Sequence, residues 1–473
     1  MNNNNQILFL SKIYAWSIIF EPLLFFILAR SFIGFNLSIA KVFELLLIFF
    51  VLLSAIFPLN TSKSFKLRLP DFNSLIYGFI YLYMISLLIS FVIGGLSGGY
   101  QLDLSFYQSS DYNQHELNIK ILSDAFTSFF IIGFYFVFFT FLTSTFLETR
   151  EKLEYFFVNF RRVFLFALFV GYLDYFISFT GYDLVSRHAF ENLFVGSRFH
   201  GYAGEPRHAA VYLLFGLAIF HLESLLFNRP IKKYIFYLVV LALILTQSIT
   251  LFVALFIFAL LILPLYIYRL EIKKISIIFL TSLAFVSVGI FAGYNIEAVS
   301  EFLPRVDSMV GYFEAFDDVW FILESKAVLP YFIRIQLGEV YPLYDMISMV
   351  RNGEILPVLF GSGLGSAALN NYSYVDTIDA YGNPNSYGVR LIYEAGIIGS
   401  LIYLLAFFVP VRILASSFRY TEKMKLYTYM ALVVAVCLAI RSSLIYIYLG
   451  VVISTLTLMM REKNIKEKEE WVQ

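Results

Sequence analysis

Apolar runs long enough to cross a bilayer recur along nearly the whole chain, and this pattern limits its fold more than any other feature. A bilayer core takes about 20 apolar residues per helix, and only helices and closed barrels satisfy their own backbone polar groups in lipid. The runs fall near residues 9–29, 37–58, 74–96, 122–147, 163–180, 208–227, 233–248, 250–268, 275–293, 389–411, 426–440 and 443–460. They predict an all-α integral membrane protein with about 12 transmembrane helices. The runs flanking Gln247 and Ser248, and those flanking Arg441, are each either two helices or one long or broken helix. Charged residues make up 14% of the chain, against about a quarter in a soluble domain, and mean hydropathy is +0.77. The stretch from Met1 to Gln6 is polar and lacks a basic region with a small-residue cleavage site, so the first run reads as a retained span.

Orientation follows from the basic residues. Lys63, Lys66, Arg68, Arg150, Lys152, Arg161, Arg162, Arg229, Lys232 and Lys233 fall in alternate connections, as do Arg269, Lys273, Lys274, Arg412, Arg419, Lys423 and Lys425, and Lys12 stands at the N-terminal end of the first run. With Arg461, Lys463, Lys466 and Lys468 these are 22 of the 34 basic residues, and the positive-inside rule makes their side, and both termini, cytoplasmic. Three substantial loops lie on the other face, near 97–120, 181–207 and 294–388, so the working face is outside. Residues 1–293 then form a bundle of nine spans including the outer loop 181–207, residues 294–388 a large outer loop, and residues 389–473 three spans and a cytoplasmic tail. The large loop is net acidic, and its apolar stretches Val319 to Leu323 and Val340 to Val350 suggest short interfacial helices. Zero formal net charge offers no field for nucleic acid, and the single cysteine, Cys437, excludes a disulfide or thiolate metal site within one chain.

The densest polar constellation runs from Arg187 to His208 and holds three of the five histidines, His188, His200 and His208, with Arg198, Glu205 and Arg207. Glu205 and Pro206 read as a helix start, with proline at the first helical position and an acid beside the positive end of the dipole. Arg207 and His208 would then stand on the first turn at the outer headgroup level. Arginine pairs bidentately with phosphate and helix amides add donors, which suits a substrate with its tail in lipid and its phosphates at the interface. The competing reading is that these arginines snorkel, pair with loop acids or bind ordinary headgroups.

Gly361, Gly363 and Gly365 precede no strand-helix unit, so they read as a tight turn re-entering the bundle and not as a dinucleotide loop. Arg390 and Glu394 are four apart on one helix face, as a site or as a structural ion pair. Glu21, the Lys41 and Glu44 pair, Asp124 and Asp174 read as scaffolding, and Arg441 returns a cation to the outer face.

The run Arg198-Phe199-His200-Gly201-Tyr202-Ala203-Gly204-Glu205-Pro206 resembles the Arg-x-x-Gly…Glu-Pro element of bacterial O-antigen and exopolysaccharide polymerases, the Wzy group of the O-antigen ligase and polymerase superfamily. Leu245-Thr246-Gln247-Ser248 is similar to that family's Leu-Thr-x-Ser turn, and a large loop follows, ending in Gly361-Ser362-Gly363-Leu364-Gly365. Asn385-Ser386 with Glu394-Ala395-Gly396-Ile397-Ile398-Gly399 resembles the family's His-Asn-Ser…Glu-x-Gly-Ile-x-Gly. The likeness covers roughly residues 160–410. Ile249 stands where the family often has arginine, and the ligase histidine before Asn-Ser is absent, Pro384 being there.

The resemblance implies a GT-C-like bundle in the bacterial inner membrane with a periplasmic active face. It implies a metal-independent glycosyltransferase without cofactor that moves a growing glycan from undecaprenyl pyrophosphate to the non-reducing end of a lipid-linked repeat unit. The partners implied are that lipid-linked oligosaccharide, membrane lipids and a chain-length regulator protein. Arg198, Arg207, Arg305, Arg351, Arg390 and Arg441 are the expected pyrophosphate ligands, and His208, Glu205 and His200, in that order, the expected bases. An O-antigen ligase with a lipid A core acceptor and a lipid-linked oligosaccharide flippase remain as alternatives.

Overall fold

The computed structural model describes residues 12, 15–16, 75–97, 147, 149–180, 182, 184, 198–201, 206–227, 229, 231–268, 341–367, 386–416, 418–439 and 451–460. Among these every regular element is helical. In chain order they are α1 (Leu75–Leu96), α2 (Arg150–Ser178), α3 (Pro206–Phe227), α4 (Lys233–Thr246) and α5 (Ile249–Tyr268). There follow α6 (Tyr341–Arg351), α7 (Ile355–Phe360), α8 (Tyr387–Ala415), α9 (Tyr420–Ala439) and α10 (Val451–Met460). The expected spans at 9–29, 37–58, 122–147 and 275–293 lie essentially outside the described residues, as do most of loops 97–120, 181–207 and 294–388.

Three of the described helices, α2, α3 and α8, are long and apolar enough to cross a membrane. The segments Lys233–Thr246 and Thr250–Pro264 pass that test together but are bent by 119° at the break between them. With 14 residues, α4 is about 21 Å long and alone falls short of a hydrocarbon core of about 30 Å. At Gln247 and Ser248 two helical segments meet at a sharp break, which makes the pair a broken span or a re-entrant loop and excludes one long straight helix.

Hydropathy marked the ends of α1, α3 and α5 to within a few residues, but α2 begins at Arg150, well before the apolar run at 163. Charge does not end a helix. Thr149 caps α2 by accepting from Lys152 N at 3.3 Å, Glu151 complements the dipole in the first turn, and Arg161 and Arg162 continue as helix. The buried side of this extension is aromatic. Phe156, Phe160 and Phe164 stack at 5.9 Å intervals, and Phe164 meets Phe220 of α3 edge-on at 5.1 Å. Gly216 makes the approach possible, since a Cβ there would lie 2.1 Å from the Phe164 ring. Further along, Arg161 pairs with the buried Glu223 and Arg229 with Glu154. The guanidinium groups of Arg150 and Arg229 lie 5.5 and 5.8 Å from the centre of the Phe227 ring.

Two groups of helices result. In one, α3 packs on α2, α4 and α5; in the other, α8 packs on α1, α6 and α7. Helix α9 touches α3, α5 and α8, and so joins them.

Candidate functional site

The break between α4 and α5 leaves carbonyls without helical partners at a buried position, because Thr246, Gln247 and Ser248 are each 2% exposed or less. Gln247 turns the chain through the left-handed region at φ 47°. Satisfying those carbonyls falls to a segment from elsewhere. Phe199 N donates to Leu245 O at 2.9 Å, Arg198 Nε to Thr246 O at 3.2 Å and Arg198 Nη2 to Gln247 O at 3.3 Å. A cation against the C-terminal carbonyls of a helix also complements its dipole. The Arg-x-x-Gly and Leu-Thr-x-Ser segments, far apart in sequence, thus meet.

Residues 198–201 enter the bundle and do not run along its rim. Phe199 is wholly buried against Tyr172 and Tyr175, at ring distances of 5.3 and 6.5 Å, over Gly171, whose missing Cβ would stand 2.6 Å from the Phe199 ring. His200 is 2% exposed, with Nε2 3.2 Å from Asp174 Oδ2 and Nδ1 3.2 Å from Gly201 O. The other Asp174 oxygen accepts from Leu184 N at 2.8 Å. At residues 199 and 200 an aromatic ring followed by an imidazole facing a buried acid draws the chain inward.

Pro206 is the first residue of α3, as its type predicts, and Arg207 and His208 follow on the first turn, both half-buried. Glu205, Arg305 and Arg441 lie outside the described residues, as do Arg187, His188, Glu21, Lys41, Glu44, Asp124, Asn383, Pro384, Asn385 and Val319 to Leu323.

A second break lies in α8, where Gly396 adopts φ 68° and ψ −176°. The same solution recurs. Ser362 N donates to Tyr393 O at 2.9 Å and Ser90 Oγ of α1 donates to Glu394 O. Backbones approach so closely that a Cβ on Gly361 would lie 2.1 Å from Glu394 O, and one on Gly94 2.2 Å from Ser362 O. Gly361, Gly363 and Gly365 all have positive φ, so this glycine triplet is the turn that seals the α8 break. Beside it Arg390 Nε lies 2.8 Å from Glu394 Oε2, with both side chains under 5% exposed. Tyr387 and Tyr83 share a 2.8 Å hydroxyl contact, and Tyr393 donates to Asp345 of α6. Arg351 is the exposed last residue of α6.

The expected arginines thus divide. Arg198 and His200 gather at the α4–α5 break, whereas Arg390 belongs to the α8 break as half of a buried ion pair, with Arg351 on the neighbouring α6. Asp174 is the residue whose part in the site was missed; its signal was an acid within a membrane-length apolar helix, and such acids seldom stand there without a task. Among the described residues no group of three His, Cys, Asp or Glu side chains could hold a metal ion.

No family model, curated protein or solved structure matches the chain. Function is therefore read from the residues themselves.

Proposed function

We propose that this chain is a membrane glycosyltransferase of about 12 spans that polymerises a glycan at the periplasmic face of a bacterial inner membrane, with both termini cytoplasmic. Its donor is a glycan on undecaprenyl pyrophosphate, and its acceptor is the non-reducing end of a lipid-linked repeat unit. One observation carries the reading: the segments that resemble the polymerase family meet in pairs, Arg198 on Thr246 and Gln247, and Gly361 on Glu394.

In this reading the acceptor hydroxyl attacks the anomeric carbon, its proton passes to His208, and the bond from that carbon to the pyrophosphate oxygen breaks. Charge developing on the departing pyrophosphate is met by Arg207 and by amides at the start of α3. Arg198 holds the α4–α5 break that underlies this turn.

A cell lacking its own polymerase tests the proposal. Wild-type protein should restore a ladder of long glycans, and Arg207→Ala, inserted at normal levels, should shorten it to single repeat units through a loss of about a hundredfold in transfer. Full ladders from Arg207→Ala would remove Arg207 from the site. Transfer of single units to a lipid A core without a ladder would favour a ligase instead.

A further inference from the structure

Asp174 is 1% exposed on a membrane-length helix, a costly place for a carboxylate, and its two oxygens serve two different pieces of chain. Oδ1 accepts from Leu184 N at 2.8 Å, while Oδ2 faces His200 Nε2 at 3.2 Å. Residues 184 and 200, near the two ends of the loop 181–207, are thus tied to one side chain.

The far side of the imidazole restricts its protonation. Nδ1 lies 3.2 Å from Gly201 O, and a carbonyl oxygen can only accept, so Nδ1 is the donor. A neutral ring with its proton on Nδ1 would then turn a bare Nε2 lone pair toward the Asp174 carboxylate. A neutral ring with its proton on Nε2 would turn a bare Nδ1 toward the Gly201 carbonyl. Only a second proton, on the ring or shared with Oδ2, removes both oppositions.

We infer that His200 is an imidazolium protonated on both ring nitrogens and paired with the Asp174 carboxylate, and that this ion pair positions the Arg198–Gly201 segment on the α4–α5 break. His200 is then a positioning residue, with no lone pair left to act as a base. This last consequence rests on the polymerase reading and leaves the base to His208; the pair itself does not depend on it. Tyr172 and Tyr175 of α2 and Tyr212 of α3 stand around the same segment, Tyr212 with its hydroxyl 2.5 Å from where a Gly201 Cβ would be. Among the described residues, Asp174 is the carboxylate that faces the ring.

The test is nitrogen-15 NMR of histidine-labelled full-length protein in lipid bilayers at pH 7, where five histidines keep the spectrum simple and His200→Gln assigns the signal. Both His200 ring nitrogens should carry protons. Asp174→Asn, which can still accept from Leu184 N and can donate to Nε2, should leave a bare ring nitrogen, whereas Asp174→Glu should keep both protons. A bare His200 nitrogen in the wild type, or the same spectrum in Asp174→Asn and wild type, would overturn the inference. The spectrum is read without substrate, so its failure removes the pair and leaves the polymerase reading standing. A lack of polymer synthesis does the reverse.

Discussion

The guanidinium of Arg198 lies against the open end of α4, donating to Thr246 O at 3.2 Å and to Gln247 O at 3.3 Å. Backbone that leaves the helix at a buried position in a membrane protein needs partners within the protein, since neither lipid nor water supplies them there. One arginine and one backbone amide, Phe199 N, supply three of the contacts that let the chain bend by 119°. Arg198 is in this sense part of the scaffold before it is part of any site.

Arg198→Ala should destabilise the protein by about 2 to 3 kcal/mol, because it leaves buried carbonyls without donors. Arg198→Lys, which can reach one carbonyl but not fork to two, should lose less. Thermal unfolding of the purified protein in detergent measures both; equal midpoints for wild type and Arg198→Ala would show that the contacts contribute nothing.

The glycine-lined joint at the α8 break makes a sharper prediction. Gly361→Ala and Gly396→Ala each place a Cβ within 2.5 Å of backbone at positive φ, so neither variant should accumulate as folded protein. Gly95→Ala, where a Cβ would meet nothing within 4 Å, should behave as wild type. Size-exclusion profiles of the three variants decide the matter, and a well-folded Gly361→Ala would mean that the turn does not pack against Glu394.

Gly216 and Phe164 should be coupled. Alanine at 216 would lie 2.1 Å from the Phe164 ring and force it away, although glycine to alanine in an open helix normally gains up to about 1 kcal/mol. Gly216→Ala should therefore be destabilising alone and close to neutral, or stabilising, in a Phe164→Ala background. Additive effects in that double-mutant cycle would contradict the packing.

The short helices α6 and α7 carry an exposed apolar face: Leu343, Ile347 and Val350 on α6, at spacings of four and three, and Ile355 and Leu356 on α7. They pack on α8, whose Ile397 and Leu401 are also exposed, so lipid should cover both. The natural cysteine is buried, which leaves introduced ones for labelling. Nitroxides at positions 347 and 355 should relax strongly with oxygen and weakly with a water-soluble nickel complex. The opposite ranking would place this face in water.

What could be read from the sequence followed from where its physics is local. The limits of α1 are marked by polar residues at both ends, and Pro206 announces α3, so both were legible to within a residue or two. Hydropathy reports contact with lipid and not helix length, and α2 therefore began earlier than its apolar run, on charged residues that pair with α3. Gln247 and Ser248 flagged a break, but its angle depends on Arg198 and Phe199, which no local pattern ties to them. Asp174 was visible as an acid within an apolar helix; its partner, His200, was visible only as one of a cluster of histidines. Arg390 and Glu394 were legible as neighbours on one face from their spacing alone, and they do form an ion pair.

The most direct measurement is to incubate purified protein with lipid-linked repeat units and resolve the products by length. The account predicts a ladder of glycans that grows by whole repeat units with wild-type protein and stops at single units with Arg207→Ala. Unchanged single units from active, folded wild-type protein, with no new glycosidic bond, would contradict it.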